Sequence, residues 1–323
     1  MSEQVLYLSE GDVRTAGLPM RGLLEALESA FRDLGEGRAE VPPKIGVHPS
    51  SASFFHAMPA LWPTGAVAAV KWVGSFPGNR DRGQPSISAL LVLSDPSDGR
   101  PLAVMDGRWL TVRRTAACST LSARYLARRG ARSLGVLGCG LQARAHVEAF
   151  REVLPLQVVR AFDRHRERAT AFAEDVRREH GVAASAHDSV REVVEGMDVV
   201  LTAGAIAQHT DPPIAPGWLA PGAFACSVDY ASPWSAGALG ELDLVCTDDR
   251  AQLEAARRSG PVSRIPPVHA DLAELVTGRK PGRTTEEQRT LACNLGLALA
   301  DVVAAVLVYR RAREAGLGTR LPL

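Results

Sequence analysis

The sequence predicts an α/β protein in which a doubly wound parallel sheet is inserted into a discontinuous α+β domain. From residue 131 onward, short apolar runs alternate with helical patterns at the spacing of βαβ units. Before that residue, extended runs are separated by Gly, Pro and Asp-Gly turns, which is typical of antiparallel or mixed strands. A long carboxyl-terminal helix of small and apolar residues is expected to return to this first domain.

The composition is that of an ordinary globular chain. Of 323 residues, 46% are hydrophobic and 23% are charged, and the formal net charge is +1. This balance gives no global field that would recruit nucleic acid or an anionic membrane. We find no signal peptide and no apolar run of membrane length, so we expect a cytoplasmic protein without nucleic-acid or membrane partners.

The cysteine pattern predicts buried thiols in a reducing compartment. The five cysteines lie in apolar runs, their number is odd, and no two form a C-x-x-C pair. Such a pattern favours small buried side chains over a disulfide framework or a metal site. These residues are Cys118, Cys139, Cys226, Cys246 and Cys293.

The first domain is expected to combine helices with extended runs. An amphipathic pattern predicts a helix over 19–36, and a helix over 109–129 leads out of the domain. Between them lie four predicted strands, over 53–58, 66–73, 88–93 and 102–105. With the helix over 296–315, both chain ends contribute to this domain, which we predict as a substrate and dimerisation domain over 1–118 plus 302–323.

The inserted domain, predicted over 119–301, begins with a strand over 133–138 and a helix over 141–153. A second strand over 156–162 and a charged amphipathic helix over 165–180 follow. Further buried strands are predicted over 198–202, 223–228 and 242–247. This alternation is typical of a parallel sheet with helices on both faces.

A glycine fingerprint stands at the turn between the first strand and helix of the inserted domain. Gly138, Cys139, Gly140, Leu141 and Gln142 open a G-x-G-x-x-A pattern that ends in Ala. The first glycine permits the tight turn, the second lets the backbone approach a pyrophosphate, and the helix N-terminus attracts phosphate. Strand, turn and helix together predict a Rossmann domain that binds a dinucleotide.

Asp163 closes the second strand of that domain, near the spacing of the acid that binds ribose hydroxyls in Rossmann folds. A carboxylate there repels a 2′-phosphate, which favours NAD as cofactor. Arg164 and Arg166 beside it could hold that phosphate instead, so NADP stays open.

Three charged residues are candidates for chemistry. Asp229 follows a strand at the edge where ligands bind, and a buried carboxyl can exchange a proton with a nitrogen; a turn or cap aspartate is the alternative. Lys71 lies in an apolar strand, so it either meets a carboxylate or reaches solvent from an edge strand. Arg114 suits a bidentate grip on a substrate carboxylate, although Arg113 beside it makes a surface arginine credible. Lys44 and His56 are weaker candidates.

Several segments together resemble the ornithine cyclodeaminase/μ-crystallin family, over about residues 38 to 316. The matching pieces include Met58-Pro-Ala60, Met105-Asp-Gly107, Thr111 to Ala117, Gly138 to Gln142, and Gly296 to Ala298 with Asp301. Lys71, Pro77-Gly-Asn79, Pro85, Leu93-Ser-Asp95 and Gly99-Arg-Pro101 complete the set. Their joint order is more specific than the glycine fingerprint alone.

The resemblance implies a homodimer and hydride transfer at the α-carbon of a small amino or imino acid. It implies that Lys71 and Arg114 bind the substrate carboxylate, that Asp229 is the acid or base, and that Lys44, His56 and Met58 lie in the substrate pocket. Thr115, Thr202 and Ala203 are expected beside the cofactor. No resident metal is expected.

Departures from the family pattern bear on the reaction. The family often has Arg where this chain has Lys44. It also usually has a Gly near the catalytic Asp, whereas this chain has Ser227-Val228-Asp229. Cyclodeaminases carry a Glu where this chain has His56, and that Glu handles the distal amine of ornithine. We therefore expect an NAD(P)H-dependent imino-acid (ketimine) reductase or amino-acid dehydrogenase. The alternatives are an ornithine or lysine cyclodeaminase that uses NAD catalytically, and a non-catalytic, crystallin-like NAD(P)H-binding protein.

Overall fold

The computed structural model describes residues 4–206, 211–259 and 262–323, and the chain forms two compact units. We call Met1–Arg114 with Gly296–Leu323 the split unit and Thr115–Leu295 the inserted unit. The domain boundaries predicted after residues 118 and 301 fall inside helices and remain predictions.

The described residues form fifteen strands and ten α-helices. The strands are β1 Gln4–Leu8, β2 Ile45–Ser50, β3 Ser53–Trp62, β4 Val67–Ser75, β5 Ile87–Ser94, β6 Pro101–Asp106, β7 Ser133–Leu137, β8 Val158–Phe162, β9 Ala183–Ala186, β10 Val199–Thr202, β11 Phe224–Ser227, β12 Leu244–Thr247, β13 Ala270–Asp271, β14 Thr290–Cys293 and β15 Thr319–Pro322. The helices are α1 Glu10–Ala16, α2 Met20–Gly35, α3 Arg108–Leu126, α4 Leu141–Phe150, α5 Arg166–His180, α6 Val190–Val194, α7 Ala236–Gly240, α8 Arg250–Ser259, α9 Leu272–Val276 and α10 Ala298–Glu314.

The split unit contains a mixed seven-stranded sheet in the order β15-β1-β6-β5-β4-β3-β2. Strands β2 to β6 pair antiparallel in sequence, β1 runs parallel to β6, and β15 runs antiparallel to β1. The four strands predicted in this region are present. Strands β1, β2 and β15 were not predicted: β2 and β15 are short and exposed along their whole length, and the apolar run of β1 was missed.

Helices α2 and α10 pack together, and α10 also packs on β3, β4 and β5. Helix α2 buries an apolar stripe that includes Leu24, Leu27 and Phe31. Helix α10 is buried on nearly all sides along its first nine residues, where Asp301 is the one charged side chain. A charge in such a helix needs a partner, because burying an isolated ion is costly.

The inserted unit contains an eight-stranded sheet in the order β13-β12-β14-β11-β10-β7-β8-β9, and all of its pairs are parallel. The chain runs outward from β7 to β9 and then returns to β10 on the other side of β7. This reversal creates the topological switch point where doubly wound sheets bind ligands, outside the carboxyl ends of β7 and β10. The predicted Rossmann topology is confirmed.

The five cysteines are free and buried, as their apolar surroundings indicated. Across the described ranges, no helix is both long and apolar enough to cross a membrane.

Candidate active site

The glycine loop directly follows β7 and begins α4. Gly138 has φ +90°, and a Cβ there would lie 2.8 Å from the backbone nitrogen of Gly204, so both backbone and space require glycine. A Cβ on Gly140 would meet no atom within 4 Å. Gly140 also caps α4 without a side-chain hydrogen bond, so the first N–H groups of the helix lack a side-chain acceptor there. These features fit a bound pyrophosphate.

Asp163 fastens the glycine loop to the end of β8. Its Oδ2 accepts a hydrogen bond from the backbone nitrogen of Cys139 at 3.0 Å, and its Oδ1 accepts one from that of His165 at 3.0 Å. Arg164 is exposed and donates from Nε to His165, while Arg166 pairs with Asp188. The carboxylate that the sequence assigned to the ribose is therefore adjacent to the loop assigned to the phosphates.

Other predicted cofactor contacts differ in exposure. Leu141 is exposed on the first turn of α4, and Thr115 is half-buried on α3. Gln142 is half-buried, and its Oε1 makes no hydrogen bond within the described part of the chain. Burial and the charge of Asp163 raise the pKa of Cys139 to about 12, so its thiol stays protonated and inert at neutral pH.

Asp229 lies two residues beyond β11 and is 1% exposed. Its Oδ1 accepts hydrogen bonds from the hydroxyls of Thr202 and Ser227, each at 2.7 Å. Its Oδ2 accepts a longer bond of 3.3 Å from the backbone nitrogen of Gly204. Because Gly204 also lies against Gly138, this carboxyl stands beside the glycine loop within the inserted unit.

Burial raises the pKa of Asp229 above its usual range, against the opposing effect of the hydrogen bonds from Ser227, Thr202 and Gly204. A carboxyl with a raised pKa keeps its proton to higher pH and can donate it to a nitrogen.

The backbone after Asp229 is strained. Tyr230 and Ala231 have φ values of +58° and +56°, in the left-handed region that non-glycine residues rarely occupy. The Ser227 hydroxyl accepts a hydrogen bond of 2.6 Å from the backbone nitrogen of Ala231, which closes this turn. Backbone strain of this kind clusters at functional sites, where the surrounding structure maintains it.

Lys71, Arg114 and Asp301 form a buried charge cluster in the split unit. Lys71 Nζ lies 2.7 Å from Asp301 Oδ1, and Arg114 Nε lies 2.9 Å from the same oxygen. Lys71 and Asp301 are each 1% exposed and Arg114 is 6% exposed. Of the alternatives left open by the sequence, Lys71 therefore meets a carboxylate, and Arg114 is not a surface arginine.

The pKa of Lys71 is well below that of an ordinary lysine. Burial and the nearby Arg114 lower the pKa of Lys71 to about 7, although Asp301 opposes this effect. An ammonium with this pKa changes charge across the neutral range, so its ability to attract a carboxylate depends on pH.

Three of the residues that the sequence assigned to the substrate pocket share one face of the split unit's sheet. Met58 pairs with Lys71 and His56 pairs with Val73, so His56, Met58 and Lys71 point to the same side. The ring of His56 stacks on Phe54 with centroids 4.0 Å apart. Lys44 directly precedes β2, and burial together with Lys44, His48 and Lys71 lowers the pKa of His56 to about 4. His56 is therefore neutral at pH 7.

The structure thus groups the predicted residues within each unit. The glycine loop, Asp163, Thr202, Ala203 and Asp229 gather in the inserted unit, while Lys44, His56, Met58, Lys71 and Arg114 gather in the split unit. Sequence reasoning gave no role to Asp301 or to Ser227. The signal for Asp301 was a lone charge in an apolar helix, and the signal for Ser227 was its place at the end of a buried strand. Among the described residues, no group of three or more His, Cys, Asp or Glu side chains could hold a metal ion.

Known proteins share this architecture. The sequence profile of the ornithine cyclodeaminase/mu-crystallin family matches residues 7–316. Ketimine reductase mu-crystallin of Rattus norvegicus is 34% identical over 321 residues, which covers 94% of this chain and 96% of that protein. Thermococcus litoralis Delta(1)-pyrroline-2-carboxylate reductase, solved in complex with NADH and L-proline, is 30% identical with a TM-score of 0.88, covering 98% and 99% of the two chains. An archaeal alanine dehydrogenase dimer with bound NAD is 30% identical with a TM-score of 0.86, covering 99% and 100%.

Proposed function

The chain belongs to the ornithine cyclodeaminase/mu-crystallin family, and we propose that it is an NAD(P)H-dependent reductase of a C=N bond beside a carboxylate. In reverse, the same reaction is the oxidative deamination of a small amino acid. The observation that carries the proposal is the buried carboxyl of Asp229, held beside a dinucleotide-type glycine loop with a raised pKa. Relatives named as ketimine reductase, pyrroline-2-carboxylate reductase and alanine dehydrogenase act on substrates of this class.

Each group in the proposal has one task. The glycine loop and the N-terminus of α4 would hold the pyrophosphate of the cofactor, which when bound would supply the hydride for the imine carbon. Arg114 and Lys71 bind the substrate carboxylate, since both are buried cations. Asp229 donates a proton to the imine nitrogen, so that hydride and proton together convert C=N into CH–NH.

The neutral His56 favours a reductase over a cyclodeaminase. The resemblance places His56 where cyclodeaminases carry a glutamate for the distal ammonium of a diamine. Burial, with a smaller contribution from the nearby Lys44, lowers the pKa of His56 to about 4 and keeps the imidazole unprotonated. A distal ammonium would meet repulsion there rather than a counter-ion.

The buried acid also favours catalysis over passive cofactor binding. Burying a carboxyl and straining the backbone after it both cost free energy, and neither is needed to hold a dinucleotide.

One incubation series separates these functions. The protein is mixed with NADH or NADPH and a panel of 2-oxo acids with ammonia or methylamine, plus cyclic imino acids, and absorbance of the reduced cofactor is followed. We expect cofactor oxidation with an imino acid, and a loss of about 10²–10⁴-fold in kcat for Asp229→Asn with NADH binding retained. Proline formed from ornithine with NAD unchanged overall would show a cyclodeaminase. Wild-type turnover in Asp229→Asn would exclude the proposed acid.

We propose NAD(H) as the preferred cofactor. Asp163 stands at the end of β8 beside the glycine loop, where its charge would repel a 2′-phosphate, and Arg166 is engaged by Asp188. The expected result is a higher kcat/KM with NADH than with NADPH, reduced or reversed in Asp163→Ser. A wild-type preference for NADPH would contradict this assignment.

We propose that two copies of the chain pair through the uncovered face of the split unit's sheet. Ile45, Trp72 and Leu90 lie in one row across β2, β4 and β5, and each is exposed. A contiguous apolar row on a sheet favours a protein interface. The relative solved as an alanine dehydrogenase dimer supports this assembly.

We also propose that the protein works in the cytoplasm, because its five cysteines are free and buried. Fluorescence of a fusion protein in the native cell, or subcellular fractionation, is expected to place it there. Recovery from an exported or membrane fraction would contradict this location.

A further inference from the structure

We propose that Asp301 is a positioning residue, which keeps Lys71 protonated and orients Arg114 so that both cations receive the substrate carboxylate. This inference rests on the proposed function of Lys71 and Arg114. It assigns a role to a residue that need not touch the substrate itself.

The geometry of the cluster supports a shared anchor. A single oxygen, Asp301 Oδ1, accepts from Lys71 Nζ at 2.7 Å and from Arg114 Nε at 2.9 Å. The second oxygen of Asp301 is buried and makes no hydrogen bond within the described ranges. Maximal stability would favour pairing both oxygens, so this arrangement points to a task other than holding the fold.

Among the described charged groups around Lys71, Asp301 is the one that favours its ammonium form. Arg114 faces it from α3, Lys44 lies ahead of β2, and His56 on β3 is also within electrostatic range. Asp301 on α10 is the one anion among these described neighbours. Without that anion, burial and the like charge of Arg114 would both drive Lys71 toward its neutral form, which cannot attract a carboxylate.

The scarcity of lysine sharpens this point. Of the 37 basic Lys and Arg residues only three are lysines, namely Lys44, Lys71 and Lys280. Arginine stays charged in any protein environment, whereas buried lysine changes its pKa readily. One of the three lysines of this arginine-rich chain therefore lies on the buried carboxylate of Asp301. That carboxylate favours the charged form of the Lys71 amine.

The three lysines allow a direct test. Protein labelled only with ¹³Cε-lysine should give three signals, assigned with Lys44→Arg and Lys280→Arg, and the Lys71 signal should titrate near pH 7. In Asp301→Asn we expect its midpoint to fall by about one to three pH units, because an opposite charge at this distance favours the ammonium.

Kinetics then link that charge to substrate binding. In Asp301→Asn, KM for the best imino acid of the panel should rise on the order of 10²-fold at neutral pH, because the cations are displaced. The pH at which KM begins to rise should follow the Lys71 titration, while the Kd of NADH stays unchanged. A merely structural role would lower the melting temperature without coupling KM to the Lys71 midpoint.

Two further variants complete the design. Asp33→Asn is the matched control, because Asp33 is a buried carboxylate on α2 that accepts from Trp62 Nε1 at 2.8 Å and from Arg38. It should lose stability without moving the Lys71 signal. If Asp301→Asn does not fold, Asp301→Glu replaces it: the charge is kept on a longer side chain, so KM should rise while the Lys71 midpoint stays within about one pH unit.

An unmoved Lys71 signal or an unmoved KM profile in Asp301→Asn overturns the inference, and so does an unchanged KM in Asp301→Glu when that variant is used. A wild-type protein that reduces no imino acid would instead refute the proposed function. In that event the Lys71 titration alone still decides whether Asp301 holds the amine charged.

Discussion

The hydroxyl of Thr202 donates a 2.7 Å hydrogen bond to Oδ1 of Asp229. This bond lowers the pKa of the carboxyl and so opposes the rise that burial causes. Ser227 makes an equivalent bond to the same oxygen from the end of the neighbouring strand. Two hydroxyl donors on one oxygen fix the direction of the carboxyl and stabilise its ionised form. They therefore set the pH range over which Asp229 can give up a proton.

Thr202→Val removes one of these donors while keeping the volume of the side chain. The pKa of Asp229 should rise further, since the lost bond favoured the ionised form. The alkaline limb of kcat for imine reduction should move upward by about one to two pH units, and oxidative deamination at neutral pH should slow. Ser227→Ala should shift kcat in the same direction. A limb that moves to lower pH in either variant would contradict the assignment of Asp229 as proton donor.

Gly140→Ala tests the phosphate loop without disturbing the fold. A Cβ at Gly140 meets no protein atom within 4 Å, so the free energy of unfolding should fall only by the cost of an alanine at the N-cap, at most about 1 kcal/mol. The Kd of NADH should nevertheless increase at least about tenfold, which is about 1.4 kcal/mol, because the methyl group takes the space of a pyrophosphate. Gly22→Ala, on a helix with equally open surroundings, is the matched control. Unchanged NADH affinity in Gly140→Ala would place the cofactor elsewhere.

Gly296→Ala should disturb the arginine of the charge cluster. Gly296 has φ +86°, and a Cβ there would lie 3.0 Å from Arg114 Nη1 and 3.2 Å from Nη2. We expect KM for the imino acid to rise about tenfold or more, because a displacement of about 1 Å at a binding group is costly. Gly316→Ala is the control, since Gly316 has φ +66° but open surroundings, so it carries the backbone strain alone. Equal effects of the two substitutions on KM would show that Arg114 does not bind the substrate.

Trp72→Glu should separate the proposed dimer. Trp72 is 45% exposed on the sheet face and stacks on Phe55, so a carboxylate there would be buried in an interface without a partner. Sedimentation or light scattering should report a dimer for the wild type and a monomer for the variant. Val158→Glu, an exposed apolar position on β8 of the inserted unit, should stay dimeric. A wild-type chain that sediments as a monomer would refute the interface.

The parts of the site that sequence could predict are local. Gly138 and Asp229 each follow a short apolar run directly, so strand and functional residue are read together. The pairing of Lys71 with Asp301 spans 230 residues, and no local pattern encodes it. Lys71 alone left open whether the amine meets a carboxylate or reaches solvent from an edge strand. Its identity depended on how α10 packs on β4.

Some strands were not predicted because they, too, lack a strong local sequence signal. Strand β2 contains Gly46 and Pro49 and is exposed throughout, so its two alternating apolar residues, Ile45 and Val47, give only a weak strand signal. Strand β14 is only four residues long and follows a polar segment, yet it pairs with both β11 and β12. Such short strands are specified by their neighbours rather than by their own sequence.

Helix α10 supplies the anion of the charge cluster, yet it emerges from the ribosome after the whole inserted unit has been synthesised. Until then Lys71 lacks the carboxylate of Asp301, and the sheet face formed by β3, β4 and β5 lacks the helix that packs on it. A nascent chain halted before residue 298 contains every strand of the parallel sheet, but it cannot form the charge cluster of Lys71, Arg114 and Asp301. Cofactor recognition and substrate recognition would therefore mature at different moments of biosynthesis.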